Sequence, residues 1–190
     1  MTAITLDLNS VIKLTQEQFY QLCQENRDVR LERDAQGRII VMPPTGWGTG
    51  ERNAEIIYQL RAWSRQNLSG IAFDSSTGFI LPNGANRSPD AAWVRRDRIE
   101  AIDPDPDKFL PLAADFVIEL RSSSDRLEQL PAKMQEYIEN GVRLGWLIDP
   151  KNKLVEIYRS NRSVDVLRSP TTLSGEDVLP GFVLDLEGIF

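Results

Sequence analysis

The chain has 190 residues, 41% hydrophobic and 26% charged, with a formal net charge of −6, no histidine and one cysteine. That length suits one domain, residues 1–190, with a substantial core, and the composition is that of an ordinary globular protein. The charge argues against a protein that coats nucleic acid through a broad basic face, and the lack of histidine removes the usual base of many hydrolases. Cys23 alone rules out an internal disulfide or a multi-cysteine zinc site, and its place on an amphipathic helix reads as a packed thiol.

The opening Met1-Thr2-Ala3-Ile4-Thr5-Leu6-Asp7 has no basic region followed by an apolar one, and no run approaches a membrane span. Neither export nor membrane insertion is expected, and a reducing cytoplasm is. Thr15-Gln16-Glu17-Gln18 opens a helix as a capping box, with Phe19, Leu22 and Cys23 at helical spacing. Residues 29–33 and 38–42 read as strands joined by Asp34-Ala35-Gln36-Gly37, and Pro43-Pro44 ends that hairpin. The glycine-rich Thr45-Gly46-Trp47-Gly48-Thr49-Gly50 leads into a second helix, with Ala54, Ile57, Leu60 and Ser64 on its inner face.

Short strands follow at 71–74, 79–81 and from Asp90 to Val94, then an exposed linker at 103–107 with a short helix beside it. Residues 114–121 form a strand carrying Glu119. Asp125 and Glu128 cap a helix with Leu127, Leu130, Met134, Tyr137 and Ile138 on one stripe, stopped by Asn140-Gly141. A strand at 144–148, a hairpin of 155–159 and 164–167 around Asn161, and a tail at 179–184 that packs on the sheet complete the chain.

Two acids carry the chemical interest. Asp90 follows Pro89 at the start of an apolar run, and Glu119 interrupts Phe116-Val117-Ile118-Glu119-Leu120. A carboxylate in such a run costs several kcal/mol unless it is paired, protonated or bound to a cation. Strand alternation puts Val117, Glu119 and Arg121 on one face. Lys133, on the following helix, reaches Glu119 if that helix returns antiparallel across the strand. Glu55 lies one residue off the apolar face of the second helix and is a further candidate acid, with Glu51 as its competitor. Hard oxygen ligands of this kind suit Mg2+ or Mn2+, and with them phosphodiester hydrolysis. Lys133, as base or fixed cation, is a better catalytic candidate than Arg121, which can serve only as a cation.

Plainer readings exist for each residue. Asp90 can be a strand-start residue bonding nearby amides, and Glu119 a buried partner of Arg121, Lys133 or another arginine. Lys133 alone would more often be a surface residue. Arg27, Arg30 and Arg33, and Arg95, Arg96 and Arg98, read first as solvated surface and second as phosphate contacts. Trp93 and Trp146 fall in strand-like runs and read as core, leaving Trp47 as the tryptophan kept as a candidate ligand contact.

The pattern of Pro89-Asp90 followed by a strand-borne Glu119 resembles the PD-(D/E)XK nuclease superfamily. More closely, the chain is similar to the bacterial Uma-two type of restriction-endonuclease family, a domain of unknown function. The matching words are Ser88-Pro89-Asp90-Ala91-Ala92-Trp93, residues 115–122, Lys133-Met134-Gln135-Glu136-Tyr137, Gly141 and residues 144–150. The resemblance implies an α/β (α+β) restriction-endonuclease-like core, a mixed central sheet flanked by helices, here with an N-terminal helix and hairpin. It implies DNA as substrate, Mg2+ (or Mn2+) as cofactor, and Asp90 and Glu119 as metal ligands. It also suggests Glu55 as a helix acid, and paired cleavage of a duplex would favour a homodimer. Where the superfamily places lysine two residues after the acid, this chain has Arg121, and Lys133 takes the lysine's part from the next helix. The main alternative is a catalytically degenerate module that keeps the fold for binding or assembly. Glycoside hydrolysis by the two carboxylates is a third.

Overall fold

The computed structural model describes residues 3–122 and 129–190. The expected capping pair Asp125 and Glu128, with Leu127, lies outside the described residues.

In chain order the elements are β1 (Ile4–Leu6), α1 (Gln16–Glu25), β2 (Arg30–Arg33), β3 (Ile39–Met42), α2 (Trp47–Asn67), β4 (Gly70–Asp74), β5 (Phe79–Ile80) and β6 (Asn86–Arg87). Then come β7 (Ala91–Arg95), α3 (Arg96–Ile102), β8 (Phe116–Leu120), α4 (Gln129–Glu139), β9 (Leu144–Asp149), β10 (Leu154–Arg159), β11 (Asp165–Arg168), β12 (Thr172–Ser174) and β13 (Val183–Asp185). They form a mixed α/β fold with two main sheets. The first is antiparallel, ordered β1-β3-β2-β6-β5, and the second is β11-β10-β9-β8-β7-β4. Within the second only β8 and β9 run parallel, because α4 carries the chain back to its start between them.

The central strands of the second sheet, β7, β8 and β9, are buried on both faces. Ile118 and Leu120 face Ile56 and Leu60 of α2 together with Leu179, Phe182 and Leu184 of the C-terminal segment. Val117 and Leu147 face Met134 and Tyr137 of α4. Alternation along β8 therefore points Glu119 toward α4. That helix lies close because residue 145 is glycine: a Cβ there would stand 2.6 Å from Met134 Cε. α4 ends at Glu139, and the chain turns at Gly141, whose φ of +102° a side chain would resist.

Local signals set several boundaries. Thr15 Oγ1 accepts from the Gln18 amide while the Gln18 side chain accepts from the Thr15 amide, the reciprocal cap expected for α1. β2 and β3 pair in register from Arg30 with Met42 to Arg33 with Ile39. The tight connection between them is held by Asp34, whose carboxylate accepts from the amides of Gln36 and Arg38.

Three expectations need correction. α2 begins at Trp47 and takes the glycines into its first turns, with Gly46 as N-cap. Leu60 and Ser64 lie on its buried face as expected and Ile57 packs partly buried against the core, but Ile56 is a fully buried member of that face and Ala54 is exposed. Asp90 sits in the bend before β7 rather than in the strand. Four short strands, β1, β6, β12 and β13, carry too few residues for an alternating pattern to show.

Candidate active site

The β2–β3 hairpin, the start of α2, the bend before β7, the end of β8 and α4 enclose a cleft of about 800 Å3. Asp90, Glu119 and Lys133 all line it. Asp90 is positioned by main chain. Asp90 Oδ2 accepts from the Leu120 amide at 2.8 Å, which ties the bend to the end of β8 beside Glu119. Its other oxygen takes a longer bond, 3.4 Å, from Asn53 Nδ2 of α2.

Lys133 reaches its acid. Its ammonium lies 2.9 Å from Glu119 Oε1, and the same oxygen accepts from Tyr137 OH at 2.9 Å. A second carboxylate holds the ammonium equally closely: Glu32 Oε1 of β2, at 2.9 Å, only 2% exposed. Glu32 also accepts from the Ser88 amide and from Arg87 NH1, and Arg87 Nε continues to Glu136 at 2.6 Å. A buried chain of acids and bases thus runs from the N-terminal sheet through α4 to β8.

The electrostatics follow from burial inside that chain. For Glu119, desolvation raises the pKa, Lys133 opposes the rise, and nearby Asp90 and Glu32 add to it, leaving the carboxyl near about 7. Burial also pushes Glu32 up, but Lys133, Arg87 and the Ser88 amide more than reverse this and hold it at about 2. For Lys133 burial favours the neutral amine, yet Glu119 and Glu32 outweigh it and the net shift is upward. The amine is therefore a fixed cation, so of its two anticipated roles the electrostatic one suits this geometry. Burial first, then Glu119 and Glu32, keep the Tyr137 phenol well above its usual range, so it remains a donor.

Other anticipated residues lie elsewhere. Glu55 accepts from Gln59 Nε2, which also bonds the Asp185 carbonyl on the C-terminal segment. Two residues along a helix are about 200° apart, so α2 turns Asn53 to the cleft and Glu55 away from it. Glu51, its competitor, is exposed. Arg121 does not stand beside Glu119 but ion-pairs Asp149 at the end of β9, which also takes a bond from Asn152. Trp47 is 87% exposed, whereas Trp93 and Trp146 are core, as expected. The Cys23 thiol is half-buried and pushed up to about 11 by burial, with Arg33 opposing. No aromatic side chain is among the described residues lining the cleft, which weighs against a sugar site.

Glu32 was not anticipated. Arg30-Leu31-Glu32-Arg33 reads as a half-exposed strand, and its one signal is the alternation that sets Arg30, Glu32 and Asp34 on a single face. Among the described residues no group of three or more aspartate, glutamate, cysteine or histidine side chains is spaced to hold a metal ion. Asp90 and Glu119 nonetheless carry hard oxygen donors of the kind that suit Mg2+, an ion that keeps several waters and takes only one or two carboxylates.

The fold has a solved counterpart in the crystal structure of "a putative nuclease belonging to DUF820" from Anabaena variabilis ATCC 29413. It matches with a TM-score of 0.79 over 93% of this chain and 97% of that one, at 19% identity, a likeness of fold. No curated protein matches the chain. Residues 16–187, nearly the whole sequence and every site residue above, match the model of a family described as "Putative restriction endonuclease", and the chain belongs to that family, Uma2.

Proposed function

We propose that the protein is a Mg2+- or Mn2+-dependent endonuclease that hydrolyses DNA phosphodiester bonds. Its metal ligands are Asp90 and Glu119, and its charge-stabilising residue is Lys133. The observation that carries this reading is the gathering of those three groups in one cleft from three separate elements. Membership of a family described as a restriction endonuclease supports the substrate class.

In this reading Asp90 and Glu119 would hold the cation, which when bound would supply Lewis acidity toward the phosphate and its attacking water. Lys133 keeps a positive charge beside Glu119 and adds to the field at the phosphate. Tyr137 fixes the direction of the Glu119 carboxylate, and Glu32 fixes Lys133. Two copies acting together would cut both strands of a duplex. The test is cleavage of plasmid and single-stranded DNA with Mg2+ or Mn2+, comparing wild type with Asp90→Ala and Glu119→Ala. Equal activity in all three, or none in any condition, refutes it.

A second reading, a non-cleaving module that retains the fold, is favoured by one observation: Lys133 is already engaged by two carboxylates. An intact partner or dimer complex with no Mn2+ binding would establish it instead.

A further inference from the structure

Among the described residues four cations line the cleft: Arg30, Arg38, Arg87 and Lys133. Three of them are committed. Arg38 pairs with Asp34, Arg87 with Glu32 and Glu136, and Lys133 with Glu32 and Glu119. An anion entering the cleft would have to compete with a carboxylate for each of these.

Arg30 differs. Among the described residues it has no carboxylate within ion-pair distance, and its one acceptor is the Ser88 carbonyl, at 2.9 Å from NH2. Its Nε is buried with no acceptor. A guanidinium presents five donors in a planar fork suited to phosphate, so most of this group's capacity is unspent. The bond to Ser88 anchors it two residues before Asp90, and alternation on β2 puts it on the same face as Glu32.

The geometry points to Arg30 as the residue that binds a substrate phosphate, with a phosphodiester oxygen accepting from the guanidinium and the neighbouring scissile phosphate lying toward Asp90 and Glu119. This rests on the nuclease reading for its substrate, but the anion site itself stands on the charge accounting of the cleft. Among the described residues six acids line the same cleft: Asp28, Glu32, Asp34, Asp90, Glu119 and Glu136. One uncommitted cation among the described residues, in such surroundings, selects for where a phosphate sits rather than for broad attraction to nucleic acid.

The test is metal-free binding, in EDTA, of fluorescein-labelled single-stranded and duplex DNA oligonucleotides, followed by anisotropy over a range of KCl. The full chain is compared with Arg30→Met, Arg30→Lys and Arg38→Ala, with circular dichroism confirming that each is folded. Arg30→Met is expected to weaken binding at least about tenfold, the loss of a charge-assisted bond to phosphate, and to lower the salt slope by about 1. Arg30→Lys recovers part of the affinity, and Arg38→Ala stays within about twofold. Equal losses in Arg30→Met and Arg38→Ala, no loss in Arg30→Met, or no binding by wild type overturns the assignment. The two readings separate cleanly. Arg30-dependent binding without cleavage in Mg2+ or Mn2+ keeps the anion site and removes the nuclease, whereas cleavage with binding indifferent to Arg30 does the reverse.

Discussion

Replacing Glu119 by glutamine should change the pH dependence of stability in a way that packing alone cannot. The glutamine carbonyl can still accept from Lys133 and Tyr137, so the contacts are broadly kept while the titration is removed. In the metal-free protein the Glu119 carboxyl is raised from 4.5 to about 7, chiefly by burial. A raised acid holds its proton in the folded state over a range where the unfolded chain has already lost it. Stability then falls as pH climbs from about 4.5 to about 7, by about 3 kcal/mol at 1.36 kcal/mol per pKa unit. The variant lacks that decline. Urea unfolding at several pH values between 4 and 8, in EDTA, should show Glu119→Gln gaining on wild type by about 3 kcal/mol across the range, whatever its offset at pH 4. A difference that stays constant with pH would refute the argument, since it would mean that Glu119 titrates normally or that Lys133 fully compensates its burial.

Other outcomes follow from the same contacts. Glu32, held at about 2, contributes stability that is complete above pH 4.5 and lost as pH falls toward 2. Glu32→Ala should therefore destabilise by about 3 kcal/mol at pH 7, because it strips a buried carboxylate from Lys133 and Arg87, and the deficit should shrink in acid unfolding curves. Gly70→Ala should cost about 3 kcal/mol and clearly more than Gly145→Ala in thermal melts. A Cβ at 70 meets the Trp93 ring at 2.3 Å and the Val94 carbonyl at 2.4 Å, whereas at 145 it meets the flexible end of Met134. Arg121→Met should lower stability through Asp149 yet leave Mn2+ affinity unchanged, as measured by calorimetry.

How far the sequence reveals this site depends on whether a residue's burial is local or tertiary. Glu119 was legible because its neighbours on the strand are all apolar, so its burial could be read from five residues. Lys133 was legible through helix geometry, as its angle beside the Leu130, Met134 and Tyr137 stripe sets it at the edge of the buried face. Glu32 was not, since Arg-Leu-Glu-Arg has the polarity of an exposed strand and becomes buried only when α4 closes over the N-terminal sheet. Glu55 and Arg121 are placed away from the Asp90–Glu119–Lys133 group for a related reason. Each lies at the right sequence distance, but Glu55 is rotated away with its helix and Arg121 is claimed by Asp149, a residue 28 positions later. Among the elements, the capped helix α1 and the β2–β3 hairpin were written in local turn and cap residues. β6 and the β12–β13 pair are too short for an alternating pattern to show.

The account turns on whether Asp90 and Glu119 jointly hold a divalent cation. Titration of Mn2+ into the wild-type protein by calorimetry, repeated with Asp90→Ala and Glu119→Ala, addresses this most directly. One saturable site in the wild type, weakened at least about tenfold in either variant, a deficit of about 1.4 kcal/mol or more, is the predicted result. A wild type that takes up no Mn2+, or variants that bind it as well as the wild type does, would contradict the account.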